Sequence, residues 1–208
     1  PDLDKPLFLE MSVPPYQAPD KPTEVSMEFE AGVPVAVSGE KIKVSAIIKK
    51  LNALGGANGI GILDIVENRL IGMKDHGIYE TPGGTILYFA HEQLEMLTLD
   101  KETSHLKSKL AVDYADLIYN GKWYTPLQEA LTAFAKKANE HCTGTVKLKL
   151  YKGNMINAGI TSPYSQYSEE LVTFGESDFD QAASAGFISI WGLPTKVQAL
   201  LDEGALNK

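Results

Sequence analysis

Residues 64 to 85 read DIVENRLIGMKDHGIYETPGGT, which crowds Asp64, Glu67, Arg69, Lys74, Asp75, His76, Tyr79 and Glu80 into one short window. Gly72 and Gly77 interrupt the run and Pro82-Gly83-Gly84 closes it, so the charges do not keep the spacing of a solvated helix face. The pattern predicts strand, turn, strand and loop, a common way to present polar groups between apolar strands. Glu67 follows the apolar stretch ILDIV, and Tyr79 follows Gly77-Ile78. A carboxylate and a phenol held together suit a polar ligand bearing an amine: the carboxylate pairs with an ammonium, and the phenol donates or accepts a hydrogen bond. A surface glutamate and a packed tyrosine would give the same letters. Arg69 is the single arginine among 19 basic side chains. It is a planar bidentate donor used once, for a structural or binding task or as one more surface cation.

Other chemistries find less support. GGANGIG, residues 55 to 61, has the composition of a phosphate loop but lacks GxxxxGK[ST] and GxGxxG, and no helix start follows it, so a helix end followed by a turn is expected. ETPGGT, residues 80 to 85, frees backbone N–H groups at a helix start where an anion could sit; capping by Thr81 or Thr85 is the expected alternative. Histidines 76, 91, 105 and 141 show no metal-ligand spacing, and His91 is read as lacking a partner one turn away, so no metal is expected. Cys142 adjoins His141, but neighbouring residues seldom face one another, which predicts a buried or idle thiol. No nucleophile elbow or serine triad occurs.

These groups must be positioned by elements the sequence also marks. VSMEFE and VPVAV alternate about the turn EAG and predict a β-hairpin, with Pro34 placing the second strand at an edge or a bulge. SAIIKKLNALGG predicts a helix capped by Ser45 and stopped by Gly55. Helices are expected from about Thr85 through TILYFAHEQLEML, from Asp100 to about Asn120, and from Thr125 as N-cap with Pro126 in the first turn. Thr145 to Gly159 predicts a second hairpin. FISIW predicts a short strand, and TKVQALLDEGALNK a closing helix that folds back on its own domain. Strands and helices fall in separate groups, which predicts an α+β fold of antiparallel hairpins packed with several helices. Residues 1 to 23 hold six prolines and read as an extended arm; 24–192 form the main domain and 193–208 a terminal helix.

The composition is that of a globular chain: 44% apolar, 22% charged, formal charge −8. The acidic balance argues against a general nucleic-acid or membrane-surface binder. No apolar run is long enough to span a bilayer. One cysteine cannot form an internal disulfide, so a reducing cytoplasm is expected. The chain opens on Pro1 rather than Met, which is expected of a fragment or processed product.

The segment GIGILDIVENRLIGMKDHGIYETPGGTIL closely resembles the C-terminal, synthetase half of the argininosuccinate synthase family. The resemblance continues through LIYNGKWYTP, TGTVKLKLYKGN, SPYSQYSEELVTF and AGFISIWGLP, and takes in EFEAGVPVAV and APDKP, so it covers essentially the whole chain. It implies a ligase of arginine biosynthesis and the urea cycle that joins citrulline to aspartate through citrullyl-AMP, using ATP with Mg2+. It implies a homotetramer in which the C-terminal helix reaches a neighbouring subunit, reversing the pattern-only preference for the tail. The family's citrulline contacts in this half, the glutamate of VENR and the tyrosine of GxYETPG, fall on Glu67 and Tyr79. They imply binding of the α-amino group and positioning of the amino acid, not proton transfer.

The resemblance also implies what these residues do not supply. The family's SGGLDTS-type nucleotide loop, its aspartate contacts and two serines of the citrulline pocket belong to an N-terminal domain. No ATP or Mg2+ is therefore expected to bind this chain alone, and the isolated polypeptide is expected to be inactive. A stand-alone structural or interaction module that kept the fold without the chemistry is the other reading. Two departures remove cations: an arginine common in the family within the segment matched by Gly61-Ile62-Leu63, and the family's KSRG, which is Lys74-Asp75-His76-Gly77 here.

Overall fold

The computed structural model describes residues 8–172 and 180–205, and the chain divides into two compact units, 1–166 and 167–208. The first unit runs β1 (Thr23–Glu30), β2 (Val33–Val37), β3 (Glu40–Lys41), α1 (Val44–Ala57), β4 (Ile62–Asn68), β5 (Lys74–Glu80), α2 (Pro82–Thr98), α3 (Lys101–Tyr119), α4 (Pro126–Ala138), β6 (Gly144–Tyr151) and β7 (Asn154–Thr161). The fold is α+β, as the grouping of elements predicted. One antiparallel sheet has the order β3-β2-β1-β6-β7, and β4 and β5 form a separate two-stranded sheet.

Alternation decides which face of the large sheet is covered. Val25, Met27 and Phe29 of β1 and Val146, Leu148 and Leu150 of β6 point to one side. There they bury against Ile47 and Leu51 of α1 and Ile86, Ala90 and Leu94 of α2. Each of these side chains larger than alanine contributes on the order of 1.5–3 kcal/mol of hydrophobic stabilisation. Polar residues occupy the alternate positions, where Lys149 sits opposite Glu24 across the β1–β6 ladder. Pro34 does sit at a bulge: Glu28 pairs with Ala36 but Phe29 with Pro34, a register shift where proline offers no N–H to the ladder.

Helix ends set by nearby residues follow the sequence. Asp100 accepts from Thr103 N at the start of α3, and Thr125 accepts from Gln128 N ahead of Pro126 in α4. The limits predicted for α1 need correction. Lys43, not Ser45, is the N-cap, because its carbonyl already accepts from Ala46 N and Ile47 N. Gly55 does not stop the helix either: α1 continues through Gly55 and Gly56 to Ala57. A Cβ on Gly55 would stand 2.8 Å from Cβ of Pro82, and one on Gly56 would stand 2.1 Å from the Met11 carbonyl oxygen. Both glycines serve close packing inside the helix, which overrides their helix-ending tendency.

The second unit carries α5 (Glu169–Val172), α6 (Ala183–Trp191) and α7 (Leu193–Asp202). FISIW therefore lies in a helix, not in the predicted strand. A short apolar run does not separate the two states by periodicity, and helix-favouring alanines precede it. Phe187 and Trp191, one turn apart, stack at 5.5 Å between ring centroids, a contact only the helix allows.

Candidate functional site

The polar window folds as the predicted strand, turn and strand. Its β4–β5 ladder pairs Leu63 with Tyr79, Ile65 with Gly77 and Glu67 with Asp75, so these six residues share one face. At the turn, Arg69 N donates to Met73 O and Gly72 N to Arg69 O, with Gly72 at φ +82°. Arg69 Nη2 reaches Asp75 Oδ2 at 2.6 Å. The lone arginine thus works inside the hairpin, where it neutralises the carboxylate directly opposite Glu67. On the other face His76 Nε2 contacts Asp64 Oδ1 at 2.5 Å.

Glu67 and Tyr79 are brought together. They lie diagonally across the Ile65–Gly77 pair, and the Tyr79 phenol donates to Glu67 Oε1. Among the described residues no other side chain hydrogen-bonds this carboxylate. The hydrogen bond to Glu67, with a smaller contribution from partial burial, holds the Tyr79 phenol above its ordinary range, so it stays a donor at neutral pH. The diagonal reach depends on Gly77. A Cβ there would stand 2.8 Å from Cε2, 2.9 Å from Cζ and 3.0 Å from the hydroxyl oxygen of Tyr79, so the ring lies across the bare strand backbone. An isolated glycine within a strand signals such close approach, and this was the available clue to a residue the sequence reading passed over.

At the far end of β5, Glu80 fixes the proline-rich arm. Its Oε2 accepts from Glu10 N at 2.7 Å and its Oε1 from Met11 N at 3.0 Å. Burial alone would raise the Glu80 pKa, but the amides of Glu10, Met11 and Ser12 outweigh it and leave it below 4.5. A depressed folded-state pKa means that this clamp is fully engaged above about pH 4.5 and is lost as the pH falls through the lower folded value. We predict that hydrogen exchange at the Glu10 and Met11 amides gains an extra acceleration on acidification through that window. Glu80→Gln should abolish the pH-dependent part; an unchanged profile would exclude the clamp.

Neither glycine segment offers a phosphate cradle. Along GGANGIG the arm lies against the backbone: Val13 N donates to Gly56 O at 3.0 Å, and a Cβ on Gly59 would stand 2.8 Å from Pro15 Cα. In ETPGGT, Thr81 is the N-cap of α2 but makes no side-chain cap hydrogen bond, contrary to expectation, and the Thr81 and Thr85 hydroxyls contact each other at 3.2 Å. Instead Gly83 N donates to Asn52 Oδ1 of α1 at 2.8 Å. That partner is 31 residues away and left no local signal. The described residues therefore do not fit the phosphates of a nucleotide at either segment.

The histidine reading also changes. His91 does have a partner one turn away: Nδ1 lies 3.1 Å from Glu95 Oε1. Cys142 is buried, as expected, but its Sγ lies 3.9 Å from His91 Nε2. His141 packs instead on Tyr164, with 4.6 Å between ring centroids.

Comparison with known proteins bears on the whole chain. Residues 5–198 match the family model described as the Arginosuccinate synthase C-terminal domain. The argininosuccinate synthase of Desulforamulus reducens is 56% identical over 199 residues, covering 95% of this chain and 50% of the relative. That of Moorella thermoacetica is 58% identical over 191 residues, covering 91% and 47%, and that of Acetivibrio thermocellus is 56% identical over 204 residues, covering 98% and 50%. The chain spans about half the length of these relatives. With nearly every residue from the arm to α7 inside the match, this chain belongs to the family of argininosuccinate synthase C-terminal domains.

Proposed function

We propose that this chain is the citrulline-holding half of an argininosuccinate synthase, a ligase that joins citrulline to aspartate at the expense of ATP. The single observation that carries the reading is the Glu67–Tyr79 pair on the exposed face of the β4–β5 hairpin. Its carboxylate, held from one side by a phenol and backed by a neutralised Asp75, is suited to the α-ammonium of an amino acid. Tyr79 fixes the carboxylate and lines the same face. Both residues orient the substrate so that its ureido end meets its reaction partner in a fixed geometry, where the gain is the one expected of proximity.

ATP, its Mg2+ and aspartate are assigned to residues outside this half. The 208 residues contain no SGGLDTS-type loop, and the glycine segments 55–61 and 80–85 are engaged by the arm and by Asn52. A homotetramer is supported by the apolar surface of the second unit, where Phe187, Ile188, Ile190 and Trp191 of α6 and Val197 and Leu201 of α7 are exposed. No helix among the described residues is long and apolar enough to cross a membrane. A cytoplasmic setting is proposed on the single free, buried cysteine.

The test is a fusion of this chain to the part of the Moorella thermoacetica relative that lies outside the match. The fusion should form argininosuccinate from citrulline, aspartate and ATP, and the isolated polypeptide should not. Product from the isolated chain, or a folded fusion with no citrulline-dependent turnover, would overturn the proposal.

A further inference from the structure

We propose that Cys142 Sγ and His91 Nε2 are ligands of a zinc-class divalent transition-metal ion, with the Asn139 amide oxygen as third donor and Glu95 orienting the imidazole. The inference is independent of the citrulline reading.

Four observations converge on one place, where α2, the end of α4 and the β1–β2 turn meet. First, a buried thiol and an imidazole nitrogen face each other at 3.9 Å. Tetrahedral zinc with its usual Zn–S and Zn–N lengths sets such a pair about 3.6 Å apart, so a shift of a few tenths of an ångström closes the site. Second, the other ring nitrogen, Nδ1, contacts the Glu95 carboxylate at 3.1 Å. This is the arrangement that fixes the tautomer of a metal-bound histidine and raises its basicity. His91, Glu95 and Cys142 each offer a ligand atom within 4.8 Å of the others.

Third, Asn139 Oδ1 is buried and has no hydrogen-bond partner. A buried acceptor without a donor is costly, and a cation or a water bound to one would satisfy it. Fourth, the β1–β2 turn packs closely on this point. A Cβ on Gly32 would stand 2.9 Å from Asn139 Cβ, 3.1 Å from Asn139 Cγ and 3.1 Å from His91 Nε2. The imidazole nitrogen and the amide side chain therefore border the same glycine.

Charge explains what holds the cluster without metal. Glu95 carries two cationic neighbours: Lys107 Nζ at 2.6 Å and the His91 imidazole. Burial would lower the His91 pKa, but its hydrogen bonds to Cys142 and Glu95 outweigh burial and raise it to about 9. Metal ligands bind in their deprotonated forms, so binding of an ion releases protons and strengthens as pH rises. Lys107, held by the same carboxylate, opposes the incoming cation. His91 keeps 22% of its side chain exposed, which gives an ion a way in. Bound there, the ion ties α2 to the segment entering β6.

Cobalt(II) titration of the untagged 208-residue polypeptide tests this directly, because Cys142 is its only cysteine. A thiolate-to-cobalt charge-transfer band should grow to one equivalent, be bleached by Zn2+ and be absent in Cys142→Ser. Glu95→Gln should weaken binding by about 10- to 100-fold, as loss of a carboxylate behind a metal-bound histidine does. Lys107→Met should tighten it, an outcome that a purely structural ion cluster would not give. Circular dichroism of each variant confirms that it is folded. No thiolate band in the folded wild-type chain, or a band that survives Cys142→Ser, overturns the proposal.

Discussion

Glu67→Gln in the fused enzyme should raise the KM for citrulline by about 10- to 100-fold and leave the KM values for ATP and aspartate near those of the parent fusion. Glutamine keeps the length of the side chain and can still accept from the Tyr79 phenol. What it removes is the negative charge that would face the citrulline ammonium. A hydrogen bond to a charged group is worth roughly 1.5–3 kcal/mol, and each 1.4 kcal/mol is about tenfold in affinity. The neutralised surroundings sharpen the expectation, because Asp75, directly across the ladder, is already paired with Arg69 and cannot substitute for the lost charge. Steady-state kinetics with each substrate varied in turn decides it. A citrulline KM within about twofold of the parent would show that Glu67 does not hold the ammonium.

What could be read in the sequence, and what could not, divides along sequence separation. Alternation in VSMEFE and TVKLKLY placed the core strands because a period of two is a local property of the chain. Thr125 was legible as a cap because the amide it accepts from lies three residues on; Asp100, read only as the start of a helix, caps it over the same spacing. Glu67 and Tyr79 stood out as residue types in a dense window, and the twelve-residue gap between them closes through a short hairpin. By contrast, Gly55 was misread as a helix stop because its partner, Pro82, belongs to another segment. Asn52 as the acceptor for Gly83, and Cys142 as the partner of His91, depend on how helices and strands pack after the chain has folded. Glu95 was the exception: it lies one turn from His91, where ordinary helical spacing would have found it, yet it was passed over. For FISIW the deciding information was absent from the five residues themselves, since apolar and β-branched side chains suit a strand as well as an exposed helix.

Gly77 offers the sharper test of how the hairpin is built. Gly77→Ala should cost citrulline affinity about as much as Tyr79→Phe, roughly tenfold for one hydrogen-bonded phenol beside a charged group, while leaving the fold as stable or slightly more so. The reason lies in what the new methyl would meet. The overlaps at 2.8 to 3.0 Å are all with the ring and hydroxyl of Tyr79 and none with backbone. The ring can swing away, so the strand keeps its register while the phenol leaves Glu67. Gly77 does not sit at positive φ, so alanine is compatible with its backbone. An interior strand alanine in place of glycine gains about 0.5–1 kcal/mol from the unfolded state, which offsets the lost contact. Two readouts separate this from a general loss of structure. The Tyr79 phenol, raised by its bond to Glu67, should titrate at lower pH in Gly77→Ala, back toward 10.0. And because Gly77 acts through Tyr79, adding Gly77→Ala to Tyr79→Phe should cost nothing further in citrulline KM, a coupling equal to the single effect. Additive losses would mean that Gly77 shapes the site by some other route, and an unchanged phenol titration would mean that the ring never depended on the bare backbone beneath it.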